Sequence, residues 1–149
     1  MTGVGIVGIG YEGLTLDAMI SDLVSDGVGI VYDVRLTPLS RKPGFSKTVL
    51  SRALGGVGIK YMHFRVLGNP KWNRDGFGGS EAELRAAREI FNETVLTSPG
   101  AQSAIDEIRR HSTSQKTALL CFERDQKRCH RSLVMAHILG SGDRLSAVS

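Results

Sequence analysis

At 149 residues, 41% apolar and 23% charged, the chain has the size and balance of one soluble domain, 1–149, able to bury a core. No stretch approaches the roughly 18 unbroken apolar residues of a membrane span; the start Met1-Thr2-Gly3-Val4-Gly5 lacks a basic region ahead of an apolar one, so no membrane is expected and the cytoplasm is the default compartment. The net charge is +4, with seven Lys or Arg against two acids from Arg109 to Arg131, a pattern compatible with a polyanionic partner without requiring one.

Val4 to Ile9 is a short β-branched run ending in glycines, which predicts a first buried strand. Leu14, Leu16, Met19, Ile20, Leu23 and Val24 then recur at helical spacing as far as Gly27. Val28 to Val34 predicts a second strand, closing on Asp33 and Arg35. Strand, helix, strand in so short a span is a βαβ unit, so these strands are expected to be parallel. Two prolines and a glycine make Leu36 to Lys47 a loop, and Ser46 is placed to cap a helix from Lys47 to Leu54 that Gly55-Gly56 stops. Ile59 to Phe64 offers a third strand. The polar, glycine-rich insert 67–79 is expected to be mobile or ordered by a ligand. Ser80 to Val95 reads as a helix opened by a Ser80/Glu83 capping box. A further helix covers Ala101 to His111, a fourth strand Thr117 to Phe122, and a last helix Ser132 to Leu139; the tail from Leu145 to Ser149 can add a short edge strand. The expected fold is α/β: a single compact domain with a mostly parallel four- to five-stranded sheet and helices on both faces.

Gly8-Ile9-Gly10-Tyr11-Glu12-Gly13 matches the dinucleotide fingerprint, and Asp33 stands 20 residues past Gly13, where a ribose-binding acid belongs. Against it, the chain has no room for a second half-sheet plus a catalytic domain, and Asp33 sits beside Arg35 in a charged cluster of its own. The glycines also have a plainer use in a tight strand-to-helix turn. No cofactor is expected.

Ile9-Gly10-Tyr11-Glu12-Gly13, Asp33-Val34-Arg35 with Pro38, Ser40-Arg41 and Gly44-Phe45-Ser46-Lys47, then Gly58-Ile59-Lys60-Tyr61-Met62-His63 with Leu67-Gly68, and finally Leu120-Cys121-Phe122-Glu123 and Cys129-His130-Arg131, occur in one order along the chain. In this the chain resembles domain-of-unknown-function family 488, bacterial and archaeal proteins of about this length. The resemblance implies a compact α/β domain with a shared polar site. It implies no particular activity, so function is argued from the residues.

Neighbouring strands of a parallel sheet end on one edge, where open α/β sheets bind ligands. Tyr11 follows the first strand, Asp33 and Arg35 the second, and Cys121 and Glu123 the fourth; all are expected to converge there. The loop with Ser40, Arg41 and Phe45 can fold over that edge, with His130 and Arg131 at the following helix start, where backbone N–H groups attract anions. Arg35, Arg41 and Arg131 offer planar forks for phosphate or carboxylate, or else serve as ion-pair partners of Asp33 or Glu123. Cys129, with His130, Arg128 and Arg131 around it, is the better candidate nucleophile, and Cys121 the core thiol. A phosphatase-type loop needs an arginine six positions after its cysteine, but Lys127 and Met135 stand there; an Asp33-Val34-Arg35 likeness to rhodanese-type sulfur transfer is slight. Cys121, Cys129 and His130 could supply three soft ligands, yet no zinc-ribbon spacing is present and His130, directly after Cys129, is expected to point elsewhere, so no metal is assigned. Tyr61, Phe45 and Trp72 are candidates for stacking on a base, Phe45 and Trp72 before Tyr61, while His63 and His137 are read as structural.

Three functions compete on these residues. The first is binding of an anionic phosphorylated ligand, a nucleotide or nucleic acid, by Tyr11, Asp33, Arg35, Ser40, Arg41, Phe45, Glu123 and Arg131. The second is a small cysteine-dependent enzyme, with Cys129 and His130 catalytic, transferring an acyl, sulfur or phosphoryl-related group. The third is an interaction protein whose polar cluster only holds the fold. Oligomeric state is left open.

Overall fold

Four short apolar runs become strands: β1 (Ile6–Gly10), β2 (Ile30–Asp33), β3 (Lys60–His63) and β4 (Thr117–Cys121). They appear in a computed structural model that describes residues 5–140. All pairings are parallel, in the order β1-β4-β2-β3. The last strand is therefore inserted between the first two. Register places Ile9, Leu120, Asp33 and His63 in one row across the sheet, with Gly10 beside Cys121 one step beyond. The strands thus finish level, and the segments that leave them share one rim.

Alternation along the strands sends side chains to two cores. Val7, Ile9, Val31, Ala118 and Leu120 meet Met19 and Leu23 of α1 (Leu16–Ser25) and Leu50 and Leu54 of α2 (Lys47–Gly55). On the opposite face Ile6, Tyr32, Leu119 and Cys121 meet α4 (Glu81–Thr94), α5 (Pro99–Ser112) and α6 (Arg131–Leu139), which contribute Phe91, Ile105, Ile108 and Val134. Each such fully buried large apolar side chain stabilises the fold by roughly 1.5–3 kcal/mol relative to an exposed one. The fold is α/β with an all-parallel four-stranded sheet and helices on both faces. Among the described residues no helix is long and apolar enough to cross a membrane.

The helix ends follow the chemistry of their caps. Thr15 and Ser98 accept hydrogen bonds from the backbone N–H groups of Ala18 and Ala101, and the Ser80/Glu83 capping box is complete in both directions. Ser46 departs from its expected role. It occupies the N-cap position of α2 without a capping bond; its hydroxyl instead accepts from the backbone N–H of Ser40 and donates to the Ser40 carbonyl, pinning the preceding loop.

The insert 67–79 is the clearest correction. It forms 3-10 turns at Arg65–Leu67 and Lys71–Asn73 and a short α3 (Arg74–Phe77). Leu67, Asn69, Asn73 and Phe77 are buried. The Asn73 amide donates to the Asn69 side chain at 3.1 Å and to the Ala87 carbonyl at 3.0 Å, tying the insert to α4. A polar composition thus conceals a packed segment, because its polar groups satisfy one another instead of water. The suggested strand at Leu145–Ser149 lies outside the described residues.

The glycines of the apparent fingerprint also gain a reason. A Cβ on Gly10 would lie 1.8 Å from the Glu123 carbonyl oxygen, and one on Gly8 would meet the Gln126 side chain at 2.2 Å. These glycines let the segment after β4 cross directly over the end of β1. Tyr11 and Glu12 backbone N–H groups then donate to the Cys121 and Phe122 carbonyls. The surface a pyrophosphate would need is covered by the protein's own chain.

Candidate functional site

β2 and β4 are neighbours, but the segment leaving β2 leads to α2 on one face and that leaving β4 leads to α6 on the other. Such a parting of loops opens a crevice at the carboxyl ends of the strands. Here it holds a cavity of about 240 Å³, with walls from Tyr11, the Arg35–Thr37 segment, Leu39, the insert residues Asn69, Arg74 and Phe77, and the two stretches Cys121–Glu123 and Arg128–His130.

One wall is fixed by a buried ion pair. Asp33 has no exposed surface and Arg35 is 5% exposed. Arg35 Nε donates to both carboxylate oxygens at 2.9 and 3.1 Å, and Nη2 donates to Oδ2 at 2.6 Å. Its Nη1 donates to the Phe45 carbonyl at 2.6 Å and to the Tyr11 hydroxyl at 3.2 Å. The Tyr61 hydroxyl completes the carboxylate's shell by donating to Oδ2. Burial opposes the charge on Arg35, but the Asp33 carboxylate overcomes it and holds the guanidinium pKa above its ordinary value. Burial, then the Asp33 charge, push the Tyr61 phenol up in turn. Four of the five N–H donors of Arg35 are engaged within the protein, so its first task is to bind β2 to the Phe45 loop.

The floor carries two thiols and an imidazole. Cys121 ends β4, while Cys129 and His130 immediately precede α6. The sulfurs of both cysteines lie 3.8 Å from His130 Nδ1. The expectation that His130 points away from Cys129 is corrected: the backbone switches from extended at Cys129 (φ −134°, ψ 141°) to helical at His130 (φ −63°, ψ −18°), which brings both side chains to the end of β4. His130 Nε2 sits 2.7 Å from the Val34 carbonyl, an acceptor only, so Nε2 carries the hydrogen and Nδ1 faces the sulfurs. Burial pushes the Cys129 thiol up, but hydrogen bonding from Cys121 and the neighbouring His130 outweigh it and hold it well below the ordinary thiol value. His130 is raised, the attraction of Cys129 overcoming burial. Hydrogen bonding to Cys129 and burial drive Cys121 upward. Glu123, whose Oε1 is 4.0 Å from the Cys121 sulfur, is raised by burial and by the charge of Cys129.

The remaining candidates divide. Arg131 is 1% exposed, and its guanidinium donates to the Glu123 and Arg124 carbonyls and the Gln126 side chain; it clamps the segment after β4 and is not on the cavity wall. Phe45 is fully buried and stacks on Tyr11 with ring centroids 4.4 Å apart, which leaves no face for a base. Ser40 is tied to Ser46, Arg41 is exposed, and neither lines the cavity. Trp72 is 70% exposed, outside the cavity lining. Sequence reasoning missed Arg74, Asn69 and Phe77, because the insert that carries them was read as irregular. Arg74 is exposed at the cavity, and its side chain makes no hydrogen bond or ion pair among the described residues. Arg128 holds α3 in place by donating to the Phe77 and Gly79 carbonyls through Nη1.

Residues 15–138 match the model of a family described as Domain of unknown function DUF488. No curated protein and no solved structure matches the chain.

Proposed function

The chain belongs to the DUF488 family, and we propose that it binds a small anionic molecule, phosphorylated or carboxylated, in the cavity between the β2 and β4 segments. The observation that carries this reading is the charge of the wall: Arg35, Arg74 and Arg128 line a cavity whose acidic lining is Glu123, with its pKa raised by burial. Arg35 is paired with Asp33 and Arg128 already gives Nη1 to the Phe77 and Gly79 carbonyls, so the free attraction comes mainly from Arg74. Planar forks suit phosphate and carboxylate oxygens. About 240 Å³ falls just below the usual range for small-molecule sites of roughly 300–1,000 Å³, which favours a compact phosphorylated metabolite or mononucleotide over a nucleic-acid strand.

Calorimetric titration with inorganic phosphate and with nucleoside monophosphates tests this. One molecule per chain is expected to bind, more weakly at higher salt. Arg74→Ala removes a free charge at no structural cost and is expected to weaken binding at least tenfold. Undiminished affinity in that variant, or no heat with any anion, rejects the reading.

A second reading rests on the contact between Cys129 and His130 at the cavity floor. A thiol beside an imidazole whose far nitrogen is anchored is the arrangement of a cysteine nucleophile and its base. It predicts that a small electrophile modifies Cys129 in the metal-free, reduced protein, with peptide mapping placing the adduct there and not on Cys121.

A further inference from the structure

The anion reading uses the cavity's arginine wall and leaves its sulfur-rich floor without a purpose. We propose that Cys121, Cys129 and His130 form a binding site for one soft metal cation, zinc by its donor set, with the fourth coordination position open towards the cavity. This inference stands apart from the anion reading and does not depend on it.

Three independent features support it. The first is spacing. A tetrahedral zinc ion, with bonds of about 2.3 Å to sulfur and about 2.0–2.1 Å to nitrogen, sets its N···S edges near roughly 3.6 Å. Both observed edges are 3.8 Å, and all three donor atoms lie within 4.8 Å of one another. The two N···S edges therefore need only a few tenths of an ångström of closure, and the S···S edge, which zinc sets at roughly 3.8 Å, needs at most about 1 Å. The second feature is the outer support. The His130 Nε2–H donates to the Val34 carbonyl, which fixes the ring and leaves the Nδ1 lone pair aimed at the sulfurs; metal-bound histidines are held in this way. Arg131 clamps the intervening segment through the Glu123 and Arg124 carbonyls, so both cysteines stand on fixed backbone. The third is charge. Metal binding displaces the protons of both thiols, and the two thiolates so formed are neutralised in the buried floor by one divalent ion. Thiolate and imidazole donors select zinc or copper(I) over magnesium or calcium.

Three protein ligands with an open position suit an ion that polarises a bound molecule. Glu123 stands beside the Cys121 sulfur, close enough to meet whatever takes that position. A coordinated thiolate is committed to the metal, so loading is expected to suppress alkylation of Cys129.

Cobalt(II) titration of the full-length, chelator-treated and phosphine-reduced protein tests the site. The expected result is one ion per chain, with thiolate-to-cobalt charge-transfer absorption and the visible bands of tetrahedral cobalt, both removed by one equivalent of zinc. Cys121→Ser and Cys129→Ser are each expected to weaken the charge-transfer absorption, and the double variant to lose it. Wild-type protein without that absorption overturns the proposal, and this result stands even if a variant fails to fold. Absorption unchanged in both single variants overturns it equally. Phosphate titration of the metal-free protein is scored separately, so failure of either site is recognised without reference to the other.

Discussion

Asp33 is the acceptor on which three donors depend: the Arg35 backbone N–H, the Arg35 guanidinium and the Tyr61 hydroxyl. Removing one member of a buried ion pair strands the other, at a cost of about 3–5 kcal/mol. Asp33→Ala is expected to lose that much in urea unfolding. Asp33→Ala combined with Arg35→Met is expected to be more stable than Asp33→Ala alone, since the stranded charge is gone; a double variant no better than the single one contradicts the pair's role. The proximity of Asp33 and Arg35 at a strand end was readable from the chain, whereas that of the Cys129 and His130 side chains was not, because it depends on the backbone turning from extended to helical between them. Which partner each arginine takes was not. Arg35 and Arg131 look alike in sequence, yet one faces a carboxylate and the other backbone carbonyls, because side-chain partners are set by segments distant along the chain.

At the level of elements, periodic helices and apolar strands were legible because their burial is a property of local spacing. Two elements were not. The 67–79 insert consists of turns too short to show a period, and its order comes from amide bonds to α4. The glycines of β1 were ascribed to a turn, whereas their neighbours come from the segment more than a hundred residues later. The two glycines differ in a testable way. A methyl group on Gly10 strikes backbone at 1.8 Å, whereas on Gly8 it strikes the end of the Gln126 side chain and Met135 sulfur. Gly10→Ala is therefore expected to destabilise by about 3 kcal/mol or more, and Gly8→Ala by about 1–2 kcal/mol. Equal midpoints in denaturant for the two variants contradict the crossing described for Glu123 over β1.

For the molecule as a whole, ligand and fold are linked by mass action. A phosphate-bearing ligand at a hundred times its Kd adds about 2.7 kcal/mol to the folded state, which corresponds to a rise of about 5–10 °C in Tm for a domain of this size. Scanning calorimetry of wild type and Arg74→Ala is expected to show that rise only in the former. That the site would gather on one sheet edge was legible from the βαβ pattern. That β4 would separate β1 from β2, setting the Cys121 end beside the Arg35 end, was not, since strand order depends on packing across the entire sheet. The same strand order dictates when the protein can fold. During synthesis β2 can pair with β3 soon after both emerge, but β1 has β4 as its one neighbour among the described strands and must wait for a segment made more than a hundred residues later. A fragment of residues 1–115 is accordingly expected to show no cooperative melting by circular dichroism. Sheets assembled from such distant pairings form slowly and leave sticky edges bare meanwhile, so the nascent chain is exposed to aggregation until β4 has left the ribosome.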